Sequence, residues 1–160
     1  MASLGAGATS LAAEAVALEG SKPRVPFELG LASYTLRKFD LDQTLAMANR
    51  VGLKVICLKS FHLPLEATPD EIAAAVKKVK DAGILLYGGG VIGLKSPEQV
   101  DHAFQYAKQA GMVKIVGAPT PEMLPRINEK VREYDIAVCI HNHGPGDKHF
   151  PTPAEAYEEI

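Results

Sequence analysis

The sequence contains no tryptophan, and its aromatic residues are limited to five tyrosines and five phenylalanines. So few aromatic rings argue against a stacking platform for single-stranded nucleic acid. Lysine and arginine (17) nearly balance aspartate and glutamate (19), and the net charge of -2 gives no attractive field for nucleic acid or anionic lipid. No apolar run reaches the roughly 20 residues that a membrane span requires. Nucleic-acid binding and membrane insertion are therefore not expected.

Cysteine is also scarce, because only Cys57 and Cys139 are present. Each lies inside an apolar run, which favours reduced core thiols over a disulfide framework. The length of 160 residues is that of one ordinary domain, and 47% hydrophobic against 22% charged residues is close to the globular average. The sequence therefore predicts one globular domain with a sizeable core.

Residues 1–26 differ in composition from the rest of the chain. They are rich in alanine and glycine and nearly uncharged before Glu14, with an A-x-A-like spacing at Ala13 and Ala15. This texture is typical of the apolar and cleavage-site parts of an export signal, although the preceding basic region, with twin arginines in one version, is missing. One hypothesis is a periplasmic protein whose longer twin-arginine signal contains Met1, and the alternative is a flexible tail on a cytoplasmic protein. In both cases residues 27–160 are predicted to form the folded domain.

From residue 27 onward the chain repeats one pattern, in which a capped helix ends on a glycine and an apolar strand follows. Capping-box sequences, three of them with proline at the first helical position, occur at Thr68 to Glu71, Ser96 to Gln99, Thr152 to Glu155 and, in a weaker form, Asp40 to Gln43. Helices are predicted to end at Gly52, Gly83 and Gly111, since glycine adopts the left-handed C-cap conformation freely. The predicted strands are 29–35, 53–59, 84–88, 112–117 and 136–142. The predicted helices are 41–51, 69–82, 97–110, 121–134 and a last one that opens at Pro153.

The strands are continuous apolar runs, as in a parallel sheet covered by helices, so the predicted fold class is α/β. Two architectures are compatible with five βα units. One is an open, doubly wound, five-stranded parallel sheet. The other is the first five units of a (β/α)8 TIM barrel, which usually has ~250 residues. The helix that opens at Pro153 shows no C-cap before Ile160, which favours the incomplete barrel, with an open edge that invites self-association.

In both architectures ligands bind at the carboxyl ends of the strands. Tyr34 lies at the carboxyl end of the first predicted strand, Lys59 ends the second, and His62 follows shortly after it. Lys59 is a candidate for binding a substrate phosphate or carboxylate or for stabilising an enolate, and His62 is a candidate acid/base group. The alternative for Lys59 is an ammonium that simply reaches solvent. The triple glycine around Gly89 lets a ligand approach the backbone, although it lacks a dinucleotide or P-loop spacing and a strand-end bulge explains it equally well.

The most specific feature of the sequence is His141-Asn142-His143 at the carboxyl end of the fifth predicted strand. Residues i and i+2 of a strand point to the same side, so both imidazoles can face one point. Two such groups are good ligands for Zn, Mn or Fe when carboxylates or water complete the shell. The alternative is that one histidine is bonded to a loop and the other is merely exposed. No nucleophile elbow is visible, so nucleophilic hydrolysis is not predicted.

Four segments carry a resemblance to a known family. They are LGLASYTLRKFDLDQTL from Leu29, VICLKSFHLPL from Val55, LLYGGGVIG from Leu85 and IAVCIHNHGPGDKHFPTPAEAYEEI from Ile136. The folded part resembles the xylose isomerase-like TIM barrel superfamily, in its sugar phosphate isomerase/epimerase branch, over about five of the eight βα units. The resemblance implies a divalent metal (Mn, Zn, Mg or Co) at the strand mouths and proton transfer next to the carbonyl of a sugar or sugar phosphate.

By this resemblance, His141 lies where many members have a glutamate that is both metal ligand and acid/base catalyst. The expected metal ligands are His141 and His143, the expected catalytic residues His141, His62 and Lys59, and the expected substrate-binding residues Tyr34, Gly89 and Asn142. The family's other ligands come from strands 6 to 8, so the ligand set is incomplete in this sequence. Two functions stay open: a metal-dependent sugar isomerase or epimerase of carbohydrate metabolism, and a catalytically inactive carbohydrate-binding relative.

Overall fold

The computed structural model describes residues 27–159. The predicted export segment, residues 1–26, lies outside the described residues. The described residues form five strands: β1 (Gly30–Ala32), β2 (Val55–Leu58), β3 (Leu85–Leu94), β4 (Lys114–Pro119) and β5 (Ala137–Ile140). They alternate with α1 (Leu41–Arg50), α2 (Pro69–Asp81), α3 (Pro97–Gln109), α4 (Leu124–Tyr134) and α5 (Pro153–Glu158). Within residues 27–159 no helix combines the length and apolar character needed to cross a membrane.

The helices begin and end on local hydrogen bonds. At the start of α2, the Thr68 hydroxyl accepts from the Glu71 backbone N–H, and the Glu71 carboxylate accepts in return from the Thr68 backbone N–H. Asp40 and Gln43 form the same reciprocal capping box ahead of α1, so this start is more complete than its sequence suggested. The three predicted glycine stops are confirmed by positive φ angles: Gly52 (77°), Gly83 (65°) and Gly111 (65°).

The strands form one parallel sheet in the order β1-β2-β3-β4-β5. A doubly wound sheet reverses its strand order near the middle, and no reversal occurs within residues 27–159. Because every crossover steps in the same direction and such connections are right-handed, α1 to α4 lie on one face, where successive helices contact each other. The described residues thus form an α/β fold that matches an incomplete (β/α)8 barrel. Self-association through its edge strands, β1 and β5, stays a prediction.

The carboxyl ends of β1 and β3 depart most from the predicted bounds. β1 ends at Ala32, because the next residues, Ser33–Leu36, wind into a 3-10 helix. β3 continues to Leu94, so the triple glycine lies inside the strand rather than at its end. Gly90 has a φ of 137°, and a Cβ there would lie 2.1 Å from the Val116 carbonyl oxygen of β4. The close approach of two strands therefore requires glycine at this position.

The core fills the space between the sheet and the helices. Ile56 and Leu58 of β2 point into it with at most 1% exposure, and they alternate with residues that face the opposite, concave side of the sheet. Cys57 is one of those residues and is only partly buried, while Cys139 of β5 is exposed. Both thiols are free, but the prediction that both are core residues is wrong, because they lie on the concave side.

Candidate functional site

A cavity of about 500 Å³, which we call the mouth pocket, opens on the concave face at the carboxyl ends of the strands. Four residues predicted from the sequence line it together: Tyr34, Lys59, His141 and His143. The rest of its lining consists of Ala32, Cys57, Gly90, Val91 and Val116. The carboxyl ends of β1, β2 and β5 thus bring their polar side chains to one cavity.

Tyr34 and Lys59 form one side of the mouth pocket. The Tyr34 ring is half exposed, with the Lys59 ammonium 5.6 Å and the Arg37 guanidinium 4.5 Å from its centroid. Phe61 packs against the same ring at a centroid distance of 5.8 Å. Cations at such distances are attracted by the quadrupole of an aromatic ring. This side of the pocket is therefore an aromatic surface with positive charge beside it.

No carboxylate is among the described residues that line the mouth pocket. Burial raises the pKa of the Cys57 thiol, and the positive charge of Lys59 offsets this effect in part. The thiol is therefore protonated at neutral pH, and the Lys59 ammonium is the charged group of the lining. A pocket of this kind favours a ligand that carries negative charge or develops it on an oxygen atom.

The structure places His62 behind the mouth pocket rather than in its lining. The residue is 7% exposed, and its Nδ1 lies 2.9 Å from the Ser33 hydroxyl oxygen. Its Nε2 lies 3.0 Å from the Phe39 carbonyl oxygen and 3.1 Å from the Thr44 hydroxyl oxygen. Ser33 accepts a bond of 2.8 Å from the Lys59 backbone N–H, so its own hydroxyl proton is free to donate to Nδ1. Nε2–H then donates to the Phe39 carbonyl.

This buried network joins the segment after β1, which carries Tyr34, to the turn after β2, which carries Lys59. The turn itself explains why His62 is not in the pocket. The Lys59 carbonyl accepts from the backbone N–H groups of His62 and Leu63 at 2.9 and 3.1 Å, and the chain bends away from the strand direction there. An acid/base role for His62 stays a prediction, whereas its contacts are those of a residue that positions its neighbours.

The imidazole pair forms the opposite side of the mouth pocket. His141 donates its backbone N–H to the Gly117 carbonyl at 2.8 Å, which continues the β4–β5 pairing one residue beyond β5. The rings of His141 and His143 are nearly perpendicular, at 84°, with centroids 4.7 Å apart. Both imidazoles line the same cavity, as the i, i+2 spacing predicts.

Asp147 closes the loop that follows His143. Its Oδ1 accepts from the backbone N–H groups of His149 and Phe150, each at 3.0 Å. Its Oδ2 accepts from the His143 backbone N–H at 3.1 Å and lies 3.3 Å from the His143 Nδ1. These bonds, those from Phe150 and His149 foremost, hold the pKa of the Asp147 carboxyl well below its usual range. Asp147 was not among the predicted site residues, and its one sequence signal is a spacing of four residues from His143.

The imidazole pair fits part of a divalent-metal site. Neutral imidazoles are good ligands for zinc and manganese, and a carboxylate on the second ring nitrogen, as Asp147 provides for His143, commonly orients such ligands. Within residues 27–159, no group of three or more His, Cys, Asp or Glu side chains is placed to hold a metal. Of the described residues, His141 and His143 would therefore supply at most two ligands.

Two predicted substrate-binding residues do not line the mouth pocket. Gly89 faces the helix layer, because a Cβ there would lie 2.9 Å from the Met112 sulfur. The next residue, Gly90, lines the pocket instead. Asn142 is half-buried between the two histidines but is not part of the lining. Contact of Gly89 or Asn142 with a substrate stays a prediction.

Comparisons with known proteins find relatives among solved structures. No protein-family model matches the chain, and no curated protein matches it. An uncharacterized protein from Parabacteroides distasonis ATCC 8503 is similar with a TM-score of 0.68 and 23% identity, over 73% of this chain and 53% of that one. A protein from Sinorhizobium meliloti 1021 has a TM-score of 0.62 and 16% identity, over 82% and 57%. A xylose isomerase domain-containing protein from Salmonella typhimurium LT2 has a TM-score of 0.57 and 11% identity, over 69% and 47%.

These similarities concern the fold. The chain spans about half the length of the three structures, with 53%, 57% and 47% of them covered. Identities of 23% and less carry no information on which residues react or which ligand binds. Together with the strand order, the similarities support the predicted resemblance at the level of architecture only: residues 27–159 have an α/β fold similar to about half of a xylose isomerase domain-containing protein.

Proposed function

We propose that the mouth pocket binds a sugar or sugar phosphate and that its residues move a proton next to the carbonyl group, as in a metal-dependent isomerase or epimerase. The observation that carries this proposal is the convergence of Tyr34, Lys59, His141 and His143 on one cavity of about 500 Å³. In barrels of this architecture, catalytic groups come from the ends of several strands. A sugar is chosen as the substrate class by analogy with one structural neighbour, which is named a xylose isomerase domain-containing protein.

In this proposal His141 is the base. Its neutral imidazole takes the proton from the carbon next to the carbonyl, and the electron pair of that C–H bond forms the enediolate. The Lys59 ammonium stabilises the enediolate oxygen or holds a phosphate or carboxylate of the substrate. The imidazolium then returns the proton to the neighbouring carbon, while the hydroxyl proton passes to the former carbonyl oxygen. Atoms and electrons balance without an oxidant or reductant.

In this proposal His143, with Asp147 behind it, would hold the divalent metal, and His141 would stay off the metal while its one lone pair takes up the proton. When bound, a divalent metal polarises the carbonyl and hydroxyl oxygens and lowers the energy of the enediolate. A ring nitrogen that binds metal cannot take up a proton. The other ring nitrogen of a neutral imidazole already carries a proton, so His141 cannot act as a metal ligand and as the base at the same time.

Solvent-deuterium exchange tests the proposal directly. The full chain is incubated in D2O with Mn2+ or Zn2+ and a panel of ketoses, aldoses and their phosphates, and proton NMR follows the C–H signal next to the carbonyl. We expect metal-dependent exchange that His141→Ala and Lys59→Met each slow by roughly 100-fold or more. His102→Ala is the matched control, because His102 lies exposed on α3, and it should exchange at the wild-type rate.

The second candidate is a carbohydrate-binding relative without catalysis. It is favoured by the lining of the mouth pocket, which has imidazole and ammonium groups but no carboxylate among the described residues. Sugar binding in calorimetry with no deuterium exchange would select this candidate over the isomerase. If neither exchange nor binding is found across the panel, both candidates are wrong.

A further inference from the structure

We propose that Asp147 is a positioning residue that holds the proton of the neutral His143 imidazole on Nδ1 and leaves Nε2 as the free acceptor nitrogen in the mouth pocket. The meaning of this arrangement for metal binding depends on the function proposed above, but the tautomer itself does not. Asp147 is neither a pocket-lining residue nor one that the sequence identifies.

The proposal follows from how one carboxylate is shared. Oδ1 is occupied by two backbone donors, the N–H groups of His149 and Phe150 at 3.0 Å each. Oδ2 accepts from the His143 backbone N–H at 3.1 Å and has the His143 Nδ1 at 3.3 Å. A carboxylate oxygen can only accept, so the contact with Nδ1 is favourable only when Nδ1 carries the proton.

The loop makes this contact a fixed feature. The Asp147 side chain is 15% exposed whereas the His143 side chain is 69% exposed, so the carboxylate is the more buried partner. Asp147 donates its own backbone N–H to the Gly144 carbonyl at 2.8 Å, which completes a tight turn. Phe150, at the end of this turn, is 2% exposed and anchors the loop in the interior. The imidazole is thus oriented by a loop that is held at both ends.

Both nitrogens of His143 then have defined tasks. Nδ1–H donates to Asp147, so the lone pair of Nε2 is the only lone pair left on the His143 ring, and His143 lines the mouth pocket. A histidine with a carboxylate on one nitrogen binds metal or accepts a proton through the other, and removing the carboxylate commonly weakens metal binding 10–100-fold. No other group within residues 27–159 is hydrogen-bonded to this imidazole.

Nitrogen-15 NMR of the full chain at a pH where the imidazoles are neutral tests the proposal, because two-bond correlations distinguish the two histidine tautomers. We expect Nδ1–H for His143 in the wild type. In Asp147→Asn, the amide NH2 takes the place of Oδ2 and faces the backbone N–H and the Nδ1–H of His143. Two N–H groups cannot hydrogen-bond each other, so we expect the ring proton of His143 to move to Nε2, which leaves Nδ1 as an acceptor for the amide. Asp135→Asn is the control, since Asp135 is exposed at the end of α4 and Asn adopts its left-handed conformation readily.

A titration with Zn2+ alone is added to the same samples. We expect Asp147→Asn to weaken the Zn2+-induced shift of the His143 resonances about 10–100-fold in apparent affinity. The proposal would be overturned if His143 of the wild type is in the Nε2–H form, a result that does not depend on whether Asp147→Asn folds. It would also be overturned if His143 has the same tautomer in the wild type and in Asp147→Asn. If the tautomer changes as expected but Zn2+ affects neither protein, the positioning role stands and the metal site of the proposed function is wrong.

Discussion

Replacing His62 by alanine separates a positioning role from a catalytic one. The substitution removes contacts to Ser33, Thr44 and the Phe39 carbonyl. Ser33 and Thr44 are both 0% exposed, so water reaches neither hydroxyl unless it enters the space that the imidazole leaves. The Phe39 carbonyl differs, because Phe39 itself is exposed and water can replace the lost donor.

The size of the effect follows from these surroundings. Each buried polar group left without its partner costs about 1–3 kcal/mol. Ser33 keeps the Lys59 backbone N–H as a donor, so its loss is partial, and the Phe39 carbonyl contributes little. The expected total is about 2–4 kcal/mol of unfolding free energy, which corresponds to a urea midpoint lower by ~1–2 M. His62→Gln keeps a side-chain amide that can hydrogen-bond one of the two buried hydroxyls, Ser33 or Thr44, and should lose about half as much.

Urea unfolding and deuterium exchange are measured on the same variants. His102→Ala controls for the loss of an exposed histidine and should change the unfolding free energy by no more than ~0.5 kcal/mol. If His62→Ala unfolds at the wild-type midpoint, the network does not hold the two segments together. If His62→Ala also loses deuterium exchange while keeping full stability, His62 takes part in the proton transfer, as the acid/base interpretation of the sequence predicts.

Two further predictions concern the sheet and the acid stability of the helix layer. Gly90→Ala, with its Cβ 2.1 Å from the Val116 carbonyl oxygen and a φ of 137°, should cost ~3 kcal/mol or more in urea unfolding, against about 1 kcal/mol for Gly83→Ala, which has open space. Equal costs would contradict the close approach of β3 and β4. Arg126 hydrogen-bonds Asp101 and holds the pKa of that carboxyl below its usual range. The interaction therefore stabilises the fold at pH values above the unfolded-state pKa of about 3.9, and this stabilisation is lost as pH falls through the lower native pKa. Asp101→Asn should therefore unfold with a flatter pH dependence below pH ~4, and an unchanged acid profile would refute it.

The helix boundaries were predictable because their signals are local. A capping box or a glycine stop involves residues within one turn, and the bonds at Thr68 and the positive φ at Gly52 and Gly83 need no tertiary information. The strand ends were less predictable, since an apolar run does not show where its pairing stops. β3 reaches Leu94 because β4 runs beside it, and no property of the triple glycine alone reveals that neighbour.

Some residues of the candidate site were predictable from the sequence and others were not. Tyr34, Lys59, His141 and His143 follow strand ends, and a parallel sheet brings strand ends together without further information. His62 follows the same strand as Lys59, yet the intervening turn directs it behind the pocket. Asp147 closes its loop through four hydrogen bonds within a short segment. The sequence of this segment has no periodic pattern, so it does not predict these bonds.

The two sides of the mouth pocket are supported from behind by separate polar groups. The His62 network fixes the aromatic and cationic side, and Asp147 fixes the imidazole side. Between them the lining is Gly90, Val91 and Val116, which offer no charge. A ligand held by both sides therefore needs an oxygen or anionic group at each end and an uncharged stretch between them. Under the proposed function we therefore expect a polyhydroxy carbonyl compound with a phosphate or carboxylate to bind better than a small neutral sugar, because only the former gives the Lys59 ammonium a counter-charge while its carbonyl lies near the imidazoles.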